Sequence, residues 1–178
     1  MGGVSVLGST QPIRQALTRV AEIGRDPSRV LAALGTGVVR HTKWRMERGV
    51  DPHGVRWDSY APLNPIYASS KQGSSILLGR GGMASGLAGS LTSAVQGNTL
   101  VWGSNKIYSR IHQLGGIIQP KNARWLSFTM GWTSEGKPRL WHVDSVEIPA
   151  RPYLGFTNED RQFMMEELED YLERALHA

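Results

Sequence analysis

The stretch best suited to chemistry is Ile76-Leu77-Leu78-Gly79-Arg80-Gly81-Gly82-Met83-Ala84, an apolar run entering the pattern G-x-G-x-x-A. In a dinucleotide-binding turn such glycines let the backbone approach a pyrophosphate. An acidic residue about 20 positions later then holds the ribose hydroxyls. Here the next acid is Glu135, so half of that site is missing and the stretch reads as a Gly-rich loop. No G-x-x-x-x-G-K-[ST] phosphate loop occurs. The five histidines, at 41, 53, 112, 142 and 177, are scattered singly, without the H-E-x-x-H spacing that puts two ligands on one helical face. Ser85 sits in Ala84-Ser85-Gly86 and lacks the G-x-S-x-G elbow. The absence of cysteine excludes a thiolate metal site, a Cys nucleophile and a disulfide framework. The sequence therefore points to a non-enzymatic chain with no cofactor and no resident metal.

Its charge is more informative. Residues 1–155 hold 18 Lys and Arg against 8 Asp and Glu, a net +10; residues 156–178 hold 2 against 7, a net −5. No acid occurs between Asp58 and Glu135, an interval that carries Lys71, Arg80, Lys106, Arg110, Lys121 and Arg124. A basic body joined to an acidic tail suits subunit-to-subunit complementarity or a surface facing a polyanion; a plain solvated surface would look the same. The 178 residues suit one domain with a modest core, and 40% apolar content with six Trp excludes a disordered chain. No apolar run approaches the roughly 20 residues of a membrane span, and Met1–Thr10 lacks the pattern of a secretory signal, so no membrane contact is expected.

These charges need elements to position them. Val4–Leu7 reads as a short strand. Thr10 and Pro12 open a helix with Ile13, Leu17, Val20 and Ala21 at helical spacing, which Gly24 ends. Asp26-Pro27 opens a second helix, with Val30, Leu31, Leu34 and Val38 on one stripe, running to Gly49. Arg40, Lys43, Arg45 and Arg48 suit the negative end of its dipole. Asp51-Pro52-His53-Gly54 is a turn that buries Trp57. From residue 64 to 90 the chain reads as a long Gly/Ser-rich loop, unusual in a compact domain. Leu91–Gln96 and Thr99–Gly103 are strands joined at Gly97-Asn98. Lys106–Leu114 reads as a short helix stopped by Gly115-Gly116, with His112 as a hydrogen-bonded packing residue. Trp125–Met130 and Arg139–Glu147 read as another strand pair. After the rigid corner Ile148–Pro152, Thr157 caps a last helix with Asp160 as its capping-box partner. That helix carries Phe163, Met164, Leu168, Tyr171, Leu172, Ala175 and Leu176 on one face.

The expected fold is a single α+β domain over residues 1–178. It has N-terminal helices, an antiparallel sheet of about four strands with a long loop, and a C-terminal amphipathic helix packed on the sheet. Four segments gain meaning in order: Asp51-Pro52-His53-Gly54-Val55-Arg56-Trp57 with Pro62-Leu63; Ile76-Leu77 through Gly89-Ser90-Leu91; Val101–Asn105 with Tyr108, Ile111-His112-Gln113 and Gly115-Gly116; and Ile148-Pro149-Ala150-Arg151-Pro152-Tyr153-Leu154-Gly155. Together they resemble the phage virion morphogenesis family, the group of Mu G-like and P2 S-like tail completion proteins, over roughly residues 10–176. The resemblance implies a structural protein of a tailed-phage virion, made in the host cytoplasm. It would form a homo-oligomeric ring, hexameric or dodecameric, in the neck or at the head-proximal tail end. Its partners would be connector and tail tube proteins, with a possible sequence-independent contact to genomic DNA. Two departures from the pattern are Arg56 before the Trp and the longer segment 122–139, which reads as an added hairpin.

Ten residues are the candidate contacts with a neighbouring subunit or neck partner. Lys71, Ile76, Leu77, Leu78, Arg80 and Met83 lie in the long loop, whose apolar residues a solvated linker would not need. The loop would order on a neighbour or line a DNA channel. Arg151 would pair bidentately with a carboxylate, either locking the last helix within one subunit or setting register between two. Glu166, Glu169 and Asp170 are the acidic surface of the last helix.

Overall fold

The computed structural model describes residues 10–71, 75–79 and 82–177. The expected strand Val4–Leu7 and the candidate contact Arg80 lie outside them. Among the described residues seven helices and six strands follow in order: α1 (Gln11–Arg25), α2 (Ser28–Arg48), α3 (Trp57–Tyr60), α4 (Pro65–Ser70), α5 (Gly86–Gly89), β1 (Leu91–Gln96), β2 (Thr99–Ser104), α6 (Ser109–Leu114), β3 (Gly116–Ile118), β4 (Leu126–Trp132), β5 (Pro138–Val143), β6 (Val146–Ile148) and α7 (Asn158–His177). The fold is α+β.

α2 organises the rest. Its stripe Val30, Leu34, Val38 and Met46 is buried, and Gly49 ends it in the left-handed conformation (φ 72°). Two glycines let neighbours approach on opposite sides. A Cβ on Gly35 would lie 2.7 Å from Leu100 Cδ1 and Ser93 Oγ of the β1–β2 hairpin. A Cβ on Gly37 would run into the Phe163 ring of α7. Helical glycine costs about 1 kcal/mol relative to alanine; here it admits a hairpin on one face and a helix on the other.

The strands form three separate two-stranded antiparallel sheets, β1–β2, β3–β6 and β4–β5, instead of one sheet of about four. The hairpin at Gly97-Asn98 forms as the sequence indicates, with Gln96 opposite Thr99 and Gly97 at positive φ (59°). The expected strand Arg139–Glu147 is divided at Asp144-Ser145. Its first part pairs with β4 and its second turns to β3, with Ile118 opposite Val146. The segment read as an added hairpin is therefore a hairpin over 126–143, inserted between two strands that pair with each other. α7 also departs from expectation: it packs on α1 and α2, not on a sheet. Its Phe163 enters the gap at Gly37, and Arg19 of α1 donates to the Ala175 carbonyl at its last turn (2.6 Å).

The span 64–90 is less irregular than its glycines suggest. Asn64 caps α4, its Oδ1 accepting from the Ile66 and Tyr67 amides (2.9 and 3.4 Å), with Pro65 in the first turn. Ile76, Leu78, Leu87 and Ala88 join Met46, Trp57, Leu91 and Tyr153 in the core, with Leu77 and Met83 packed against it.

Candidate functional site

The segments that matter most meet on one extended strap, residues 150–155. Arg151 N donates to the His112 carbonyl at 2.7 Å. Gln113 Oε1 accepts from the amides of Tyr153 and Leu154, both at 3.0 Å, and Gln113 Nε2 donates to the Leu154 carbonyl at 2.9 Å. Trp57 is fully buried and its Nε1 donates to the Pro152 carbonyl at 3.0 Å. Gly115, at φ 70°, passes so close to the strap that a Cβ there would lie 2.8 Å from Ala150 N. A strap that follows Pro149 and contains Pro152 cannot join a ladder through every residue, so its remaining backbone groups need partners. The Trp57, Gln113 and Gly115 segments supply them or let the chain come close.

The two arginines beside this strap exchange their expected roles. Arg151 is buried, but its partners are the carbonyls of Ala61 (Nε, 2.8 Å) and Pro62 (Nη2, 2.8 Å), not a carboxylate. It ties the strap to the chain leaving α3, within one subunit, and does not touch α7. The cause is local: α3 ends at Ala61-Pro62, where the carbonyls have no helical acceptor role left. The carboxylate goes to Arg45 instead. Arg45 Nη1 donates to both Asp160 oxygens (3.2 and 3.1 Å) and Nη2 to the Gly155 carbonyl (3.1 Å), all under α7. His41 Nδ1 lies 3.2 Å from the same carboxylate. Asp160 also accepts from Thr157 N (3.0 Å) and Thr157 Oγ1 (2.9 Å), while Asp160 N donates to Thr157 Oγ1, which completes the expected capping box. Burial alone would push the Asp160 carboxyl up. The Thr157 amide and the Arg45 charge outweigh it and hold the carboxyl below its ordinary value. Sequence reading placed Arg45 at the helix dipole and missed this pair, because Asp160 already had a sufficient role as a cap.

Beside the strap opens an apolar groove of about 970 Å³. Ile66 and Tyr67 of α4, Leu77, and Phe128, Met130 and Trp141 of the β4–β5 hairpin line it. Lys71, His112 and Arg151 reach its wall. Burial, and next the nearby Arg151 charge, lower the pKa of both Lys71 and His112. Lys71 Nζ donates to the Ser75 carbonyl. His112 Nδ1 is buried without a hydrogen-bond partner, contrary to the hydrogen-bonded role expected of it.

The candidate contacts thus divide. Ile76 and Leu78 are buried in the subunit's own core, where they also line the groove. Lys71 and Leu77 line the groove and Met83 is half-buried against the core. Arg151 is an internal tie. Glu166, Glu169 and Asp170 are exposed together on the outer face of α7. The structure does not bring this acidic trio to the loop residues. Among the described residues there is no group of three or more His, Asp or Glu that could hold a metal, and no helix long and apolar enough to cross a membrane.

The model of the phage virion morphogenesis family matches residues 9–173. The Mu-like prophage FluMu G protein 2 of Haemophilus influenzae (strain Rd) is 31% identical over 87 residues. That match covers 49% of this chain and 47% of the relative, so the chain spans about half the length of the curated relative it matches. No solved structure matches.

Proposed function

The chain belongs to the phage virion morphogenesis family, and from that premise we propose that it is a ring-forming subunit at the head-proximal end of the tail or in the neck. Its partners there would be connector and tail tube proteins, with the packaged DNA running through the ring. One observation carries this reading. All three sheets have only two strands, so every described strand keeps an unpaired edge. A two-stranded ribbon is marginal on its own, and an open edge is a template for another chain. A ring supplies that chain at every subunit, without leaving free ends.

The full-length chain should sediment as one closed species well above monomer mass, hexameric or dodecameric, and appear as rings in negative stain. A monomer at every concentration tested rules the ring out. Mass spectrometry of purified virions separates a structural component from an assembly factor. A chain present at ring stoichiometry supports the first, and a chain absent from the particle assigns it to the second.

A further inference from the structure

Two exposed surfaces of this subunit are complementary in charge and both carry uncovered apolar side chains. The first is the continuous run from Lys106 to Arg124, comprising α6, β3 and the chain that follows. Lys106, Arg110, Lys121 and Arg124 are all exposed there, and the run contains no acid. Among the described residues none of these four cations makes an ion pair. Between them stand Ile107 (97% exposed), Leu114 (63%) and Ile117 (64%). Arg110 and Leu114 lie four residues apart on α6 and so share a face. Among the described residues β3 pairs only with β6, and both Ile117 and Ile118 are exposed, so each face of this edge strand leaves apolar surface open to solvent.

The second surface is the outer side of α7. Glu166, Glu169, Asp170 and Glu173 are exposed at helical spacing, opposite the face that packs on α1 and α2. None of these four is in an ion pair among the described residues. Met165 and Leu176 are exposed beside them, so this acidic face also has apolar residues at its margin.

We propose that the α6–β3 face of one subunit seats on the acidic α7 face of the next copy, as the repeating contact of the ring. The inference rests on the ring proposed above and names its two surfaces. They are different patches of one chain, so the contact is heterologous and generates a closed ring when its rotation closes. Charge sets the pairing and its register, while Ile107, Leu114 and Ile117 provide the apolar area that opposite charge alone does not. The same basic run could meet the DNA phosphates instead. Phosphate binding uses the cations but leaves Ile107, Leu114 and Ile117 in water, so a second copy of this chain fits the whole surface and DNA fits only part of it.

The test is a charge exchange in the full-length chain, read by sedimentation velocity at two salt concentrations, with circular dichroism as the folding control. Glu166→Lys with Glu169→Lys and Asp170→Lys should weaken association about tenfold or more. Lys106→Glu with Arg110→Glu and Lys121→Glu should do the same. Mixing the two reversed proteins should restore association through the swapped contact, in mixed species only. Ile107→Ser, at a position with no intramolecular packing to lose, should weaken association at both salt concentrations. Wild-type rings that persist unchanged in both charge reversals overturn this contact while leaving the ring intact. A wild-type chain that never associates overturns the ring and the contact together. If the Lys106/Arg110/Lys121 reversal abolishes binding to duplex DNA and leaves the ring unchanged, the face belongs to DNA and the proposal fails.

Discussion

Gln113 holds the strap with all the hydrogen-bonding capacity its amide can direct there: two bonds accepted by Oε1 and one donated by Nε2. Replacing it with alanine leaves two amides and a carbonyl unpaired in a half-buried place. Each such group costs about 1–3 kcal/mol. Gln113→Ala should therefore destabilise by at least about 2 kcal/mol, measured by urea unfolding, while Gln113→Glu, which keeps the acceptor and loses the donor, should cost less. Asp160 is the other residue whose removal should be felt. With Asp160→Asn the Arg45 guanidinium stays buried without its charge partner, and breaking such a pair costs about 3–5 kcal/mol. The pH dependence has a definite sign. Asp160 has a folded pKa below its unfolded value of about 3.9. Its stabilisation is thus complete above pH ~4 and is lost as pH falls through the folded value. Wild type should lose thermal stability steeply below pH 4, and Asp160→Asn should be flatter there. His112 adds a second dependence of the same sign. Its folded pKa is lowered by burial, so its neutral form is the one that suits the fold. That stability is present above the unfolded value of about 6.5 and falls as pH drops below it. At this scale the sequence showed which residues matter better than what they touch. Gln113 and Arg151 stood in the motifs, but a charge on its own does not say whether its partner is a carboxylate or a carbonyl.

At the scale of elements, legibility follows the range of the interaction. The β1–β2 hairpin was readable because Gly97-Asn98 fixes its register within fourteen residues. The cap on α7 was readable because Thr157 and Asp160 are three apart. The end of β5 was not, since Asp144-Ser145 divides the strand only because β3, far back in the chain, pairs with β6. α4 had a local signal, the Asn64-Pro65 start, hidden among the glycines and serines around it. The glycines in α2 and after α6 were visible as residues but not as close approaches. Their consequence can be measured. In Gly115→Ala a Cβ meets backbone atoms of the strap at 2.8 Å in a left-handed conformation, neither of which can relax cheaply. The loss should exceed about 2 kcal/mol. Gly37→Ala meets only the end of the Phe163 ring, and alanine regains about 1 kcal/mol of helix propensity. Overpacking costs about 1–3 kcal/mol, so its net loss should be smaller, about 1 kcal/mol. Denaturant midpoints of the two variants at equal m-value check the order, and a Gly37→Ala protein less stable than Gly115→Ala contradicts it.

At the scale of the molecule, the α+β class and the family were readable across nearly the whole chain, because ordered motifs survive where pairing details do not. The assembly of the sheets was not readable, since one sheet of four strands and three of two look alike in the pattern of single strands. That difference decides how the β4–β5 hairpin is attached. Ile118 and Val146 lie opposite one another, so the chain enters and leaves the hairpin at one point of the β3–β6 ribbon. The hairpin in turn packs on α4, where Gly131 takes Ile66 against its Cα. The core residues Met46, Trp57, Leu91 and Tyr153 come from other elements. Joining Trp125 to Asp144 through two glycines should therefore leave a cooperatively folding protein with Trp57 still buried, because no strap or core contact named above is removed. What disappears is one wall of the groove: Phe128, Met130 and Trp141. Ile66 and Tyr67 then lose their cover, so α4 should become the first site of proteolysis. Rings made by the α6–β3 and α7 faces should still form, since both faces remain. Loss of rings in this folded variant would place a subunit contact on the hairpin instead. Loss of cooperative unfolding would show that the hairpin is part of the core that holds the strap, and that its insertion point does not make it separable.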